Sequence, residues 1–501
     1  METHAPQTYR SAANPGARLK QVPLDYLDNY KSRFDAITAP HIHAFDKAHL
    51  VALTEGGAIK RKIGQQLLAG LRQMEAEGVL NVHSKMNSGL HAGERYLTKL
   101  YGSEIGGQIA TGRSSGDLNA VSRRRAFAAQ ICSALDGMMK LRHSLIELAS
   151  KHIETVMAGN THGQHAQPTT LAHWALMFEL VAARHQQRYQ EAHARINQSP
   201  AGAAIMTGSD FPIDRRRSSE LLGFDGPLPN TFDAIISHDM EIEYAGLMAG
   251  LTHSLARLAD DLQLWSTFEY GYVELPDYLC GTSSIMPQKK NPDGLEDIKS
   301  LATQASSAFL AVSMSERGPT GFTTMERVNT DSQLKAIGEM IPARLDTLSR
   351  LVGDVRFDVA RMSYLAGANW CTATDLAAAI ARETALGWRK AHELVAGFVA
   401  HCFNCGMMPN TVTSADLDAA ANQLGFPAPS LDPQLFRESL SPLAFVGRRS
   451  TYGSPAPANV CAQIKLARES QTRDAEQQEK LRCVRERAAK ALDEAVNAIL
   501  E

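Results

Sequence analysis

Cysteine, aromatic side chains and excess charge are all scarce in this 501-residue chain: seven Cys, 6% Phe, Trp and Tyr, and a formal net charge of −3. An odd, thin set of cysteines excludes a disulfide framework and points to reduced thiols in a cytoplasm. Cys402 and Cys405 form one CxxC beside His401. Without a second ligand pair they read as thiols, not as a zinc or redox site. The 51 basic residues are scattered, so no overall field recruits nucleic acid or an acidic membrane. Arg123–Arg125 and Arg215–Arg217 read as solvated faces. Long apolar runs are missing too. Leu171 to Ala183 is interrupted by His173 and Glu179 and is too short to span a bilayer. The first twenty residues hold no apolar core for a signal peptide. A soluble, cytoplasmic protein is expected.

Proline is absent from Pro40 to Pro168, from Pro168 to Pro200 and from Pro229 to Pro276. What fills these gaps is helical periodicity. From Asp117 to about Ala158, Phe127, Ile131, Leu135, Met138, Leu145 and Leu148 recur at helical spacing. Thr169–Gln198, Phe232–Tyr270, Ile298–Ser315 and Ser332–Leu351 follow the same pattern. Arg468–Glu501 reads as an amphipathic helix and nothing more. Strand-like alternation is scarce. Ser199–Pro212 and Gly223–Pro229 carry the Pro and Gly that mark loops. Helices this long predict an elongated all-α bundle, with surplus apolar surface covered by partner chains. Three regions follow: an N-terminal helical domain over 1–112, a central long-helix domain over 113–360, and a C-terminal helical domain over 361–501.

One stretch does not belong to helix packing. "GTSSIMPQKKNPDG", Gly281 to Gly294, sets two serines on a loosened run and follows them with Pro287, Lys289 and Asn291. Asn291, Pro292, Asp293 and Glu296 read as an N-cap, a proline at N1 and acids in the first turns, so a helix is expected to start here. Lys289 and Asn291 then stand where a helix dipole favours anions. That suits a reaction in which negative charge builds on a carboxylate.

"SSIMPQKKNP" resembles the signature of the fumarase/aspartase superfamily in the form carried by argininosuccinate lyases and δ-crystallins. "TGRSSGD" (Thr111–Asp117) and "GNTHGQHAQPTT" (Gly159–Thr170) are similar to its other two motifs. Weaker likenesses run through "ATDLA", "GWRKAHELV" and "STYGSPAPANV". The resemblance implies an all-α, three-domain subunit in a homotetramer with a twenty-helix bundle. It also implies active sites built from three subunits and a reaction that eliminates an amine from a succinyl group to release fumarate. No cofactor and no metal are implied.

Carried over by motif position, Ser283 is the general base on the Cβ proton, its pKa lowered by positive charge and oriented N–H groups. Lys289, Asn291, Thr161 and Ser114 would hold the aci-carboxylate, with Ser284 and Met286 beside them on the loop. His162 pairs with Glu296 to hold or relay a proton, His165 is a neighbour, and Arg113 recognises a carboxylate.

Departures cluster on the amine half. The family's Arg-Asn after Arg-Ser is replaced by Ser115-Gly116, and the segment that helps hold an arginine moiety appears as "TTMERVNTDSQ" (Thr323–Gln333). There Met325, Thr330 and Gln333 stand for Tyr, Gln and Lys. "IHAFDKAH" (Ile42–His49) keeps only Ala48-His49. Losing polar partners weakens the old ligand by about 1–3 kcal/mol per buried unpaired group. The expected activity is therefore cleavage of an N-substituted aspartate such as ethylenediaminedisuccinate. Arg327 and Arg361 are candidate cations for a second carboxylate, with Tyr364 a donor beside them. The rivals are an argininosuccinate lyase and a non-catalytic crystallin-like protein.

Overall fold

The computed structural model describes residues 34–321 and 325–501. The N-terminal stretch read for targeting, and Thr323 and Thr324 of the amine-half segment, lie outside them. The chain is dominated by helices. After Ala39–Glu55 (α1), Arg61–Glu77 (α2), Val79–Met86 (α3) and Ala92–Tyr101 (α4), one helix of 37 residues runs from Ser115 to Lys151 (α5). At 1.5 Å per residue it is about 55 Å long. A hairpin, Val156–Thr161 (β1) and Gln164–Thr170 (β2), then turns the chain into Leu171–Ile196 (α6). Arg215–Leu222 (α7), Thr231–Ile236 (α8) and Asp239–Trp265 (α9) follow. Three two-residue strands, Val273–Glu274 (β3), Gly281–Thr282 (β4) and Lys290–Asn291 (β5), precede Asp293–Ser315 (α10) and Met325–Asp354 (α11). The C-terminal part comprises Arg356–Phe357 (β6), Val359–Gly367 (α12), Ala373–Glu383 (α13), Trp388–Asn404 (α14), Ser414–Gln423 (α15), Pro433–Ser439 (α16), Pro442–Gly447 (α17) and Pro457–Leu500 (α18). Among the described residues, no helix is long and apolar enough to cross a membrane.

Periodicity located the bundle helices and misplaced some ends. The helix expected to reach Ala158 stops at Lys151, and Val156–Thr161 is a strand paired with Gln164–Thr170. The apolar repeat had already ended at Leu148, and His152 leaves helical geometry at φ −127°. The Phe232–Tyr270 helix is divided between α8 and α9 because Ser237 (ψ 139°) and His238 (φ −136°) are not helical. Asn291 is not the N-cap. It is ladder-paired with Gly281 in β5, and Pro292 takes the cap position, so α10 begins one residue later than the Asn-Pro step suggested.

The long helices pack as a bundle, α5 and α11 running parallel, whose core includes Phe127, Ile131 and Leu135 from α5, Leu176 from α6, Met248 and Leu255 from α9, Ile298 from α10 and Leu345 from α11. A second core joins α1 and α2 to the C-terminal residues Leu492, Val496 and Ile499. A third lies within residues 370–440. The 44-residue α18 is thus more than an amphipathic tail. Val460 and Ile464 enter the bundle core, and its far end enters the second one. Between them Arg142, 0% exposed, meets Glu179 at 2.9 Å and Asp474 of α18 at 2.6 Å. Burial pushes the Glu179 carboxyl up, against the pull of Arg142.

Candidate active site

Two ends of the bundle carry the motif residues. At the far end from the hairpin, Ser114 caps α5. Its Oγ accepts from Gly116 N at 3.0 Å, while Ser114 N donates to Asp117 Oδ2 at 2.9 Å. Fully buried Asp117 also accepts from Ala204 N (3.0 Å) and Ile205 N (3.3 Å). That grip holds Ala204 and Ile205 at φ +46° and +74°, a costly conformation for a β-branched residue. Ile205 in turn lies against Gly116, where a Cβ would sit 2.7 Å from Ile205 Cδ1. No larger side chain fits at position 116 unless Ile205 moves. Neighbouring Arg113 is 3% exposed and pairs with Asp46 Oδ1 at 2.7 Å, its guanidinium 5.7 Å from the Phe45 ring centre. A substrate carboxylate would have to compete with Asp46. Below it, burial and the Arg113 charge push His49 down to about 3, so its ring stays neutral, with Nε2 2.9 Å from Thr111 O.

Sequence reasoning missed His91. Its Nε2 lies 2.9 Å from Ser115 Oγ and its Nδ1 3.0 Å from Glu94. The i, i+3 spacing of His91 and Glu94 was the available signal.

At the other end, Thr161 and His162 sit at the tip of the hairpin. His162 (φ +55°) and Gly163 (φ +69°) form its two-residue turn, the doubly left-handed type that matches strand twist. His tolerates that region better than most non-glycine residues. Both Thr161 and His162 are exposed. The hairpin base is anchored by Val156 against Ala366, Phe445 and Val446.

The signature loop projects from the same end, between β4 and β5. Lys290 fixes its base through Glu274 (2.5 Å), Asp277 (2.8 Å) and Leu275 O (2.6 Å). Above that anchor Ser284, Ile285, Met286 and Lys289 are exposed. Ser283 Oγ accepts from Met286 N at 3.0 Å and Ile285 N at 3.3 Å. Two oriented N–H groups on one hydroxyl oxygen favour its alkoxide. Glu296, exposed in the first turns of α10, receives only a long contact from Gln263 Nε2 at 3.4 Å. Among the described residues no ion pair joins it to His162.

The remaining candidates divide. Arg361 Nε and Nη2 donate to the carbonyls of Tyr270 (3.1 Å) and Glu269 (3.0 Å), with the guanidinium 5.9 Å from the centre of the exposed Tyr364 ring. Among the described residues no acid forms an ion pair with it. Arg327 Nε lies 3.0 Å from Glu316. Thr330 turns its hydroxyl to Arg327 O at 3.0 Å, within its own helix.

The lyase family profile matches residues 28–306, and an argininosuccinate lyase C-terminal profile matches 370–447. The argininosuccinate lyase of Methanoculleus marisnigri is 35% identical over 86% of this chain and 87% of its own. That of Methanothrix thermoacetophila is 33% identical over 96% and 99%. Among solved structures, EDDS lyase in complex with formate superposes with a TM-score of 0.85 at 29% identity, covering 94% and 95% of the two chains. A class II fumarase from Schistosoma mansoni, at 16% identity and a TM-score of 0.66 over 84% and 96%, shares the fold. With the signature loop, the hairpin histidine and the bundle all in place, this chain belongs to the argininosuccinate lyase/δ-crystallin branch of the fumarase/aspartase superfamily and is a fumarate-releasing carbon–nitrogen lyase.

Proposed function

We propose that the substrate is an N-substituted aspartate whose amine half carries a carboxylate, such as the aminopolycarboxylate ethylenediaminedisuccinate, and that sites are completed between subunits of a homotetramer in the cytoplasm. The observation that carries the chemistry is the pair of backbone N–H groups on Ser283 Oγ. In this reading Ser283 removes the Cβ proton. Charge then collects on the adjacent carboxylate, where Lys289, Asn291, Thr161 and Ser114 would hold it, with Arg113, Ser284 and Met286 lining the same site. The C–N bond breaks as the amine leaves with a proton, from His162 paired with Glu296 of another subunit or from water.

Sharing between subunits is supported by helix length. Ser114 and His162 lie beyond opposite ends of α5, about 55 Å long, and one small substrate cannot touch both within a chain. The three-domain division at 112 and 360 belongs to the same proposal.

The amine-half reading rests on three positions. Ile205 closes the space beside Gly116, Thr330 turns its hydroxyl to Arg327 O and Ser315 Oγ, and Arg361 faces carbonyls with no acid paired to it among the described residues. Cations facing a guanidinium would be repulsive by up to several kcal/mol in a desolvated site. Argininosuccinate is the second reading, favoured by the names of the relatives. The deciding measurement is kcat/KM for each substrate. Preference for the aminopolycarboxylate by about tenfold or more is expected, and efficient cleavage of argininosuccinate alone would restore the second reading.

A further inference from the structure

Buried charge is concentrated where α10 ends and α11 begins. Arg327 Nε and Glu316 Oε2 are 3.0 Å apart, with side chains 18% and 7% exposed. Arg123 of α5, expected on a solvated face, is buried instead (side chain 5% exposed) and lies 2.9 Å from Glu241 of α9 and 3.9 Å from Asp331. His238 Nδ1 is 3.1 Å from both Arg123 Nη2 and Glu241 Oε1. Lys335 approaches Asp331 at 3.6 Å. In spite of this crowding, Arg123 Nε, Glu241 Oε2, Arg327 Nε and Asp331 Oδ1 are buried without an aligned hydrogen bond. Native interiors leave few such atoms; Arg123 Nε and Arg327 Nε still lie at ion-pair distance from Glu241 and Glu316, so among the described residues Glu241 Oε2 and Asp331 Oδ1 are the cluster's buried atoms without a close donor. Arg327 meets Glu316 through Nε at 3.0 Å, and among the described residues that nitrogen has no aligned hydrogen bond, whereas a planar fork prefers two.

We infer that Glu316 is a stand-in for the substrate: the distal carboxylate of the amine half displaces it from Arg327, and Glu316 takes up one proton from solvent as it leaves. This rests on the acidic amine half proposed above. Two observations place the event. Arg123 lies nine residues along α5 from Ser114, about 13 Å at helical rise, a span that a succinyl group joined to a short diamine acid covers. Within the cluster, burial favours the neutral form of Glu316. Burial raises it to about 7, with Glu241 adding repulsion against the pull of Arg327 and Arg123. Glu241 stays ionised, held low by Arg123 and His238 against its burial. Burial lowers the His238 ring, against the pull of Glu241. Among the described residues, Arg327, Asp331 and Lys335 from α11, Arg123 from α5, and Glu241 with His238 at the start of α9 are the charged or titratable groups of this cluster. Glu316 is a specificity-determining residue in this scheme, not a catalytic one.

Calorimetric titration of the full-length Ser283→Ala protein tests it without turnover. The probe is N-(2-aminoethyl)glycine, an amine bearing one carboxylate that cannot release fumarate, with ethylenediamine as the carboxylate-free control. With Glu316 titrating near 7, the probe should bind about tenfold tighter at about pH 6 than at about pH 8. At the higher pH its binding should take up close to one proton, read from two buffers of different ionisation heat. Adding Glu316→Gln should make binding equal at both pH values and abolish the uptake. Arg327→Gln should remove the advantage of the probe over ethylenediamine. Any of three results overturns the inference: no probe binding by the otherwise native protein, binding without proton uptake, or a folded Glu316→Gln protein with unchanged pH dependence. Fumarate release from N-substituted aspartates by the native protein reads the parent proposal separately, so the two can fail independently.

Discussion

The two ends of the bundle solve opposite problems. Around Ser114 and Arg327 the polar groups are buried and answer one another: Arg113 with Asp46, Ser114 with Asp117, Arg123 with Glu241, Arg327 with Glu316. Around His162 and Ser283 they sit on an exposed hairpin tip and a loop whose serine is half-buried, where among the described residues backbone N–H groups attend its hydroxyl. The difference teaches how a lyase of this kind divides its labour. A recognition wall can be pre-formed in the interior, because buried pairs hold geometry. A reacting serine must remain reachable, and it is positioned by the local turn and not by packing.

Ser283→Ala is the sharpest way to break the comparison. It removes a half-buried loop hydroxyl bonded only to its own turn, so the unfolding temperature should change little, while turnover should fall by about 10²–10⁴. Near-normal turnover would move the role to Ser284 or His162. At the opposite extreme, Arg142→Ala strands Glu179 and Asp474 without a cation. Breaking a buried pair costs about 3–5 kcal/mol, which denaturant unfolding should detect as a lower midpoint. An unchanged midpoint would show that α18 does not brace the bundle. Assembly comes next. Chains carrying Ser283→Ala and chains carrying His162→Asn should each be nearly inactive, yet verified hybrids of the two should exceed either parent, because some shared sites contain neither lesion. Hybrids as inactive as the parents would argue for sites complete within one chain. The smallest effect is expected at Glu316. Its folded-state value near 7 lies above the ordinary 4.5, so folding favours the protonated form. The stability this gives is full below about 4.5 and is lost as pH rises through about 7. Glu316→Gln should therefore melt like the parent at low pH and a few degrees higher above about pH 8. A variant less stable at high pH would mean that the ion pair with Arg327 outweighs burial.

The bundle was legible because its helices repeat apolar residues over many turns, and the signature loop because its residue order has no use in helix packing. The hairpin was not read as strand. Val156–Thr161 is too short for alternation to stand out, and its pairing depends on the turn at His162–Gly163. Asn291 misled for a related reason: the Asn-Pro step carries a helix-start signal, but cross-strand pairing with Gly281 claims its backbone first. Arg113 and Arg327 were readable as cations and not as occupied ones, since Asp46 and Glu316 lie 67 and 11 positions away in the sequence.

By itself, the sequence determined an all-α bundle through periodicity, and the order Ser-Ser-x-Met-Pro-x-Lys-Lys-Asn-Pro carried the family resemblance that implies elimination, since both are local properties of the chain. Only the tertiary structure decided which charges are already paired, that Ile205 fills the space beside Gly116, and that the motifs divide between two ends of a helix about 55 Å long. The physical reason is range: backbone preference and amphipathic spacing act over a few residues, whereas burial and ion pairing depend on groups that only folding brings together.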